Sequence, residues 1–275
     1  MRLSFLISLS LLLISPTIFA DDFLVDNLVN LQQFNPKDGS GYTKVIEQLK
    51  KEALDNNPDS QYLLGNMYYQ GFGVEKNYTV AREWYEKAAF QNNEKAQLKL
   101  GNIYQKGLGV EKNHVAARQW YEKAAAKNNS SAQYQLGVIY GRGLGVTQDY
   151  TEAREWYEKA ANQGQQYAQY QLGFLYHMGY GTSPNITVAK NWYEKSALQG
   201  HPFAQYQLGI IYQNGLGVAQ DYTIAREWYE KAAAQENAYA QRSLGLLYYY
   251  GLGVPKDNVQ AKKWFDKAAY LENTM

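Results

Sequence analysis

The 275-residue sequence contains no cysteine and only three histidines. Without cysteine the chain has no disulfides, no thiol catalysis, no cysteine metal site and no lipid anchored through a cysteine. Neither sign of charge is in excess, because 27 basic residues stand against 26 acidic ones. A balance this even argues against nucleic acid and anionic membrane surfaces as partners.

Long apolar runs are also missing, except within the first twenty residues. Arg2 precedes a stretch from Leu3 to Ile14 that only serines interrupt, and Ile18-Phe19-Ala20 forms a cleavage site before Asp21. This layout is typical of a secretory signal peptide, so residues 1–20 are predicted to be removed. A retained N-terminal anchor helix is the alternative interpretation. We expect a periplasmic or secreted protein with no membrane span after cleavage.

Repetition is the most abundant feature of the sequence. All six tryptophans lie 36 residues apart, at Trp84, Trp120, Trp156, Trp192, Trp228 and Trp264. Leu-Gly pairs keep the same period and end at Gly65, Gly101, Gly137, Gly173, Gly209 and Gly245. A fixed period of this length indicates a solenoid, in which each unit buries its apolar face against its neighbours.

Each period predicts two helices joined by a glycine turn. Ala132, Leu136 and Ile139 form one stripe of a first helix, which Gly143 ends. Asp149, followed by Glu152 three residues later, predicts a capping box at the start of a second helix. The apolar face of that helix carries Ala153, Trp156, Tyr157, Ala160 and Ala161. We expect the Trp-Tyr pair to lie over the mid-helix glycine of the first helix, which would otherwise be destabilising.

The array extends before the first tryptophan. Residues 42–57 align with residues 78–93, but Gln48 and Leu49 stand where Trp84 and Tyr85 would be. A half-repeat without its large aromatics is typical of an N-terminal cap. Residues 23–34 are apolar-periodic enough for one more helix. The predicted organisation is therefore a signal peptide at 1–20, capping helices at 21–58 and six repeats at 59–275.

These repeats resemble the Sel1-like repeat family, a relative of the tetratricopeptide class. The resemblance rests on AQYQLGVIYGRGLGV at residues 132–146 and DYTEAREWYEKAA at residues 149–161, whose motif elements recur six times at constant spacing. It implies a right-handed α/α superhelix whose concave surface is lined by the first helices, and a role as a binding scaffold. Some exported bacterial members were named β-lactamases. Those members carry a cysteine pair in each repeat, and this chain has none.

Catalytic motifs are missing from the sequence. No serine is followed three residues later by lysine, and neither Gly-x-Ser-x-Gly nor His-Glu-x-x-His occurs. We interpret His114, His177 and His201 as solvent-facing side chains rather than metal ligands. The sequence therefore predicts a non-enzyme without catalytic residues, metal or cofactor. An enzyme acting on cell-wall or β-lactam substrates is the competing class.

Positions that differ between repeats are free to specialise, and on the first helices they form one stripe rich in tyrosine. We predict that this stripe binds the partner, because tyrosine and arginine dominate binding hot spots. The predicted contact residues are Tyr62, Asn66, Tyr69, Asn102, Gln105, Tyr134, Arg142, Tyr170, Phe174, His177, Tyr206, Gln213, Arg242 and Tyr249. Burial of Tyr134, Tyr170 and Tyr206 between neighbouring helices is the alternative for those three.

The sequence thus predicts a monomeric or weakly associating protein that captures another protein or a peptide in its concave groove. Two roles fit that description. One is a periplasmic adaptor or regulator, and the other is an immunity protein that neutralises a secreted toxin or effector. Binding on the convex face is the alternative placement of the partner.

Overall fold

A computed structural model describes residues 40–274, which form thirteen α-helices and no strand. The predicted signal peptide and the helix predicted at residues 23–34 lie outside the described residues. The helices are α1 (Ser40–Leu54), α2 (Pro58–Gln70), α3 (Tyr78–Phe90), α4 (Glu94–Lys106), α5 (His114–Ala125), α6 (Ser130–Arg142), α7 (Tyr150–Asn162), α8 (Gln166–Met178), α9 (Ile186–Leu198), α10 (Pro202–Asn214), α11 (Tyr222–Ala233), α12 (Ala238–Tyr250) and α13 (Asn258–Thr274).

The helices alternate between two kinds. We call α2, α4, α6, α8, α10 and α12 the A helices, and α3, α5, α7, α9, α11 and α13 the B helices. One A helix and the B helix that follows it form one repeat. This arrangement confirms the predicted all-α solenoid of helix-turn-helix repeats. Its right-handed sense stays a prediction.

The chain divides into two compact units. The described part of unit 1 runs from residue 40 to Lys99 and includes Leu108–Val110, while unit 2 comprises Leu100–Gly107 and the chain from Glu111 onward. In unit 1, α1 packs on α2 and α2 on α3. Leu49 of α1 is buried in the core there. In unit 2, each helix from α5 to α13 packs on the next one along the chain. The role of residues 21–58 as a cap stays a prediction.

Helix α6 shows how the sequence sets the ends of an A helix. The Asn129 side chain caps its start by accepting a hydrogen bond from the Ala132 N–H at 3.0 Å. Gly143 ends the helix with φ of 66°, a left-handed conformation that glycine adopts without steric cost. The predicted glycine turn is therefore confirmed.

Helix α7 shows how a B helix begins. Asp149 accepts hydrogen bonds from the backbone N–H groups of Thr151 and Glu152 at 2.8 and 3.0 Å, so it is the N-cap residue as predicted. The predicted capping box is wrong. The Asp149 N–H donates to the Tyr140 carbonyl at 2.9 Å, because the loop returns to α6. The Glu152 carboxylate instead accepts a hydrogen bond from the Trp156 indole at 2.9 Å.

The glycine in the middle of each A helix is required by the B-helix aromatic ring that lies against it, which is tyrosine in five repeats and phenylalanine in the sixth. A Cβ built on Gly137 would come within 2.5 Å of the Tyr157 ring, which leaves room only for hydrogen. The same contact recurs in the other repeats, at Gly65/Tyr85, Gly101/Tyr121, Gly173/Tyr193, Gly209/Tyr229 and Gly245/Phe265. Close packing against an aromatic ring therefore offsets the cost of glycine within a helix.

Tryptophan does not take part in this contact, so that part of the prediction is wrong. Tyr157 is buried, whereas Trp156 is only half-buried. The lysine three residues later covers the exposed indole face, with the Lys159 ammonium 3.9 Å from the Trp156 ring centroid. The same pair occurs in all six repeats, from Lys87 over Trp84 to Lys267 over Trp264.

In four repeats, the fourth residue of the A helix is joined to the loop after the B helix by a hydrogen bond between two glutamines. We call these bonds the glutamine ladder. The buried Gln169 of α8 donates to the Ala161 carbonyl at 3.1 Å and accepts from Gln199 at 2.8 Å. The ladder pairs are Gln61/Gln91, Gln133/Gln163, Gln169/Gln199 and Gln205/Gln235. These bonds satisfy buried amides that would otherwise be costly. Repeat 2 has Lys127 where the other ladder repeats have glutamine, and the buried Gln97 oxygen has no hydrogen-bond partner.

Candidate partner-binding surface

The A-helix stripe predicted from sequence surrounds a buried B-helix tyrosine in unit 1. The Asn66 side chain accepts a hydrogen bond from the Tyr85 hydroxyl at 2.8 Å. The Tyr62 ring lies 5.9 Å from the Tyr85 ring, and Tyr69 lies edge-on to Tyr78 at 5.2 Å. All three predicted residues are half-buried. They therefore serve the scaffold on one side and face solvent on the other.

The polar members of the stripe in unit 2 do the same. Asn102 and Gln105 accept hydrogen bonds from the Tyr121 hydroxyl at 2.8 and 2.7 Å. Gln213 accepts from Tyr229 at 2.9 Å, and the His177 Nδ1 lies 3.5 Å from the Tyr193 hydroxyl. Burial raises the pKa of each of these B-helix tyrosines far above its ordinary value. The hydroxyls therefore stay neutral hydrogen-bond donors at physiological pH.

The stripe tyrosines at the start of the A helices satisfy both interpretations offered for them. Tyr134, Tyr170 and Tyr206 each lie 5.8 Å from a buried B-helix tyrosine, and each remains half-buried. Phe174 is half-buried as well. The more exposed members of the predicted set are Arg142, Arg242 and Tyr249, and Tyr249 is 46% exposed. Whether these residues bind a partner stays a prediction.

Three exposed aromatics on this surface were missed by the sequence analysis. Tyr167, Phe203 and Tyr239 are 48%, 44% and 59% exposed, although large aromatics normally bury most of their area. Each is the second residue of its A helix, and they lie 36 residues apart. The sequence contained a signal for these residues. They share a spacing of 36 residues, and each lies three residues, or about one helical turn, before the first stripe residue of its helix.

Each exposed aromatic contacts a stripe tyrosine of the preceding A helix. The ring centroids are 6.0 Å apart in Tyr134/Tyr167, 6.3 Å in Tyr170/Phe203 and 5.8 Å in Tyr206/Tyr239. We call these six residues the aromatic strip. It lies entirely within unit 2 and runs over α6, α8, α10 and α12. A contiguous exposed apolar surface of this kind marks an interaction site more often than isolated exposed side chains do.

His201 lies beneath the middle of the aromatic strip. It is 6% exposed, stacks on Tyr170 at 4.8 Å and lies edge-on to Tyr167 at 5.2 Å. Its Nδ1 accepts a hydrogen bond from the Ala204 N–H at 3.2 Å, which makes it the N-cap of α10. The predicted solvent-facing position is therefore wrong for His201, because the capping role places its ring between two A helices. Burial lowers its pKa below the ordinary value.

Charge is divided unevenly between the helices of unit 2. The A-helix residues of this unit carry Lys106, Arg142 and Arg242 and no acidic residue, whereas every helical acidic residue of the unit lies on a B helix. Burial raises the pKa of Tyr134, and the positive charge of Arg142 acts in the opposite direction. Burial likewise raises the pKa of Tyr206, with Arg242 opposing. Each guanidinium group therefore acts electrostatically on a tyrosine of the aromatic strip.

Candidate metal sites and candidate membrane spans are both absent from the part of the chain that the structure describes. No group of three or more His, Cys, Asp or Glu side chains is arranged to hold a metal ion there. No helix in that part is long and apolar enough to cross a membrane.

Solved structures similar to this chain share its repeats. A protective antigen present in uropathogenic Escherichia coli strains is 37% identical, with a TM-score of 0.79 over 84% of this chain. The match spans only 50% of that antigen's chain. A Sel1 repeat protein from Oxalobacter formigenes is 34% identical, with a TM-score of 0.77 over 90% of this chain and 97% of the other.

More distant structures include an immunity protein from Pseudomonas aeruginosa, which is 22% identical with a TM-score of 0.48 over 76% of this chain and 82% of the other. A similarity at that level carries no argument about function. No curated protein matches the chain. The Sel1 repeat profile matches six consecutive segments, at residues 58–93, 94–129, 130–165, 166–201, 202–237 and 238–273. These segments coincide with the pairs of A and B helices, and the chain belongs to the Sel1 repeat family.

Proposed function

We propose that the protein is an exported, non-catalytic scaffold that captures another protein or a peptide on the solvent side of its A helices. The observation that carries this proposal is the aromatic strip. Tyrosine buries a large contact area at a low entropic cost, and tyrosine and arginine are enriched among binding hot spots. The stripe tyrosines are also held by ring contacts within the repeats, so a partner would meet a preorganised surface.

Export is supported by the sequence of residues 1–20, with its basic start, apolar stretch and cleavage site. A similar structure is described as a protective antigen, which fits a protein that leaves the cytoplasm. Two roles remain within this proposal. An adaptor or regulator would hold a periplasmic partner, and an immunity protein would hold a secreted toxin or effector and block it.

Site-specific photo-crosslinking tests the proposed surface. A photoreactive amino acid replaces Phe203 on the aromatic strip, and in a matched control it replaces Glu155, an exposed residue of the B helix α7. We expect a crosslinked partner protein from the Phe203 position only, identified by mass spectrometry in extracts of the producing cells. Crosslinks from Glu155 alone would place the partner on the B-helix side and contradict the proposal.

The identified partner then allows the contribution of single side chains to be measured. Phe174→Ala and Tyr249→Ala should each weaken binding by about 2 kcal/mol if these residues are hot spots. Lys123→Ala and Glu158→Ala on B helices should leave the affinity nearly unchanged. Isothermal titration calorimetry with the purified partner measures all four. If the partner is an enzyme whose activity is lost on binding, the immunity role is favoured over the adaptor role.

A further inference from the structure

We propose that the segment captured by the aromatic strip is acidic as well as apolar. The segment would place apolar side chains on the strip and carboxylates on the arginines beside it. This inference rests on the proposed function, and it adds the chemistry of the partner to it. Three observations support it: the charge of the A helices in unit 2, the positions of two arginines, and the contrast with the A helices of unit 1.

The first observation is the charge of the surface. A chain with nearly equal numbers of acidic and basic residues would by chance place both signs on both kinds of helix. In unit 2 the A-helix residues instead carry three basic side chains and no acidic one. Binding surfaces are complementary in potential to their partners, because like charges brought together repel each other. A partner with acidic residues is therefore favoured on this surface.

The second observation is the position of the arginines. Arg142 and Arg242 are both exposed, and each shares an A helix with a tyrosine of the strip. Arg142 lies at the end of α6, which carries Tyr134, and Arg242 lies in α12, one turn after Tyr239. Neither guanidinium takes part in an ion pair within the described residues. Each of the ion pairs there joins two residues of the same B helix. An exposed guanidinium can donate two parallel hydrogen bonds to a carboxylate. Each arginine is therefore available to an acidic side chain of a segment that lies on the strip.

The third observation is the contrast with unit 1. The A-helix residues of that unit carry both signs of charge, with Asp59 and Glu94 beside Lys95 and Lys99. The second residues of α2 and α4 are charged, not aromatic. Apolar exposure and one-signed charge therefore occur together in unit 2 and are both missing from the A helices of unit 1. Nucleic acid is not favoured by three cations spread over several helices, since its affinity depends on many phosphate contacts.

Binding of defined peptides tests the inference. The acidic probe is a fluorescent peptide of four Asp-Leu-Phe units, and its matched counterpart has lysine in place of each aspartate. Fluorescence anisotropy with the full-length protein should show the acidic probe binding at least about tenfold more tightly than the lysine peptide. Raising the salt from low to high concentration should weaken the acidic probe's binding several-fold, because exposed charge pairs are screened.

Variants with matched controls assign the effect to the strip. Arg242→Glu should weaken binding of the acidic probe about tenfold, whereas Lys262→Glu on the B helix α13 should not. Phe203→Ser should weaken both probes, whereas Leu198→Ser should weaken neither, although Leu198 is the more exposed side chain. Circular dichroism confirms that each variant is folded. Equal affinity for the two peptides, no binding of either, or equal effects of the two charge reversals would overturn the inference.

The outcomes also separate this inference from the proposed function. A crosslinked partner at Phe203, together with no preference for the acidic probe, would leave the scaffold proposal standing and reject the acidic chemistry. Residues 21–34 of this chain are the alternative occupant, because their sequence is itself acidic and apolar. A synthetic peptide of those residues that binds more tightly than the acidic probe would assign the strip to this chain's own segment and overturn a separate partner.

Discussion

Repeats 1 and 2 have the same interior as repeats 4 to 6 but a different surface. In both regions a mid-helix glycine lies against a buried aromatic ring, as in Gly65/Tyr85 and Gly209/Tyr229. The second residue of the A helix, however, is Asp59 in repeat 1 and Phe203 in repeat 5. The difference shows that the exposed second residue of the A helix varies while the contact between the glycine and the aromatic ring stays constant. Binding properties can therefore change along the array while the scaffold stays constant.

The largest expected effect tests whether the two interiors are equivalent. Tyr85→Ala and Tyr229→Ala should each lower the free energy of unfolding by about 3–5 kcal/mol, because both rings are almost completely buried. Urea denaturation followed by circular dichroism measures the two losses. Trp84→Ala and Trp228→Ala serve as controls and should cost clearly less, since the tryptophans are half-buried. A loss at only one of the two tyrosines would break the equivalence.

The next effect concerns the glycines in contact with those rings. Gly65→Ala and Gly209→Ala should each destabilise by about 1–3 kcal/mol, because the added Cβ would come within 2.6 and 2.3 Å of a tyrosine ring. Gly141→Ala in α6 is the matched control. There the nearest atom lies at 3.5 Å, so the helix propensity of alanine should stabilise by about 0.5–1 kcal/mol. Thermal melts that show all three variants stabilised would refute the packing argument.

The contribution of the N-cap residue to stability should depend on pH in repeat 5 but not in repeat 1. His201 caps α10 in repeat 5 and can be protonated, whereas Asn57 caps α2 in repeat 1 and cannot. Burial lowers the pKa of His201 below its ordinary value of 6.5. This histidine therefore binds a proton more readily in the unfolded chain than in the folded one. The stability from neutral His201 is thus complete above pH 6.5 and declines as the pH falls toward the folded-state pKa. The loss ends once the pH is below the folded-state pKa, because both states then carry the proton.

His201→Asn is the matched test, because asparagine caps the equivalent helices in other repeats. The variant should lose part of the decline between pH 7 and pH 5 in urea denaturation. His177 also has a pKa lowered by burial, so His177→Gln should remove a further part. An undiminished decline in the double variant would assign the pH dependence to other groups.

The smallest expected effect lies in the loop between repeats 5 and 6. Glu236 has a φ of 61°, whereas the equivalent positions hold Asn56, Asn92, Asn128, Gly164 or Gly200. Glu236→Asn should stabilise by about 0.5 kcal/mol, because asparagine tolerates this left-handed conformation better. Gly164→Glu should destabilise, although nothing lies within 4 Å of its added Cβ. If the two variants do not change the free energy of unfolding in opposite directions, φ does not determine which residue is favoured at this position.

The 36-residue period was sufficient to predict the repeat architecture and the helix ends. Asp149 and Gly143 begin and end helices as their residue types predict, because capping depends on local backbone geometry. The period did not show which of the two invariant aromatics, Trp156 or Tyr157, contacts the glycine. Neighbouring residues on a helix both lie near the edge of a wide apolar face, so only the packing of two helices decides between them.

The candidate surface was predicted in part for a similar reason. The stripe was drawn from positions 5, 9 and 12 of each A helix, and position 2 was omitted, although it lies one turn before position 5 on the same face. Tyr167, Phe203 and Tyr239 were therefore missed. The capping role of His201 could not be seen because histidine is rare as an N-cap, and its equivalents are asparagine and glutamine.

The glutamine ladder also has a consequence for how such genes change. Each rung joins residues that are 30 positions apart, and it uses side chains that recur in almost every unit. Unequal crossing-over that inserts or deletes one whole unit would leave every remaining rung with a complete pair. A gain or loss of a few codons within a unit would separate the glutamines on either side. The ladder thus favours change in length by complete units, with each copy carrying its own surface residues to a new place in the array.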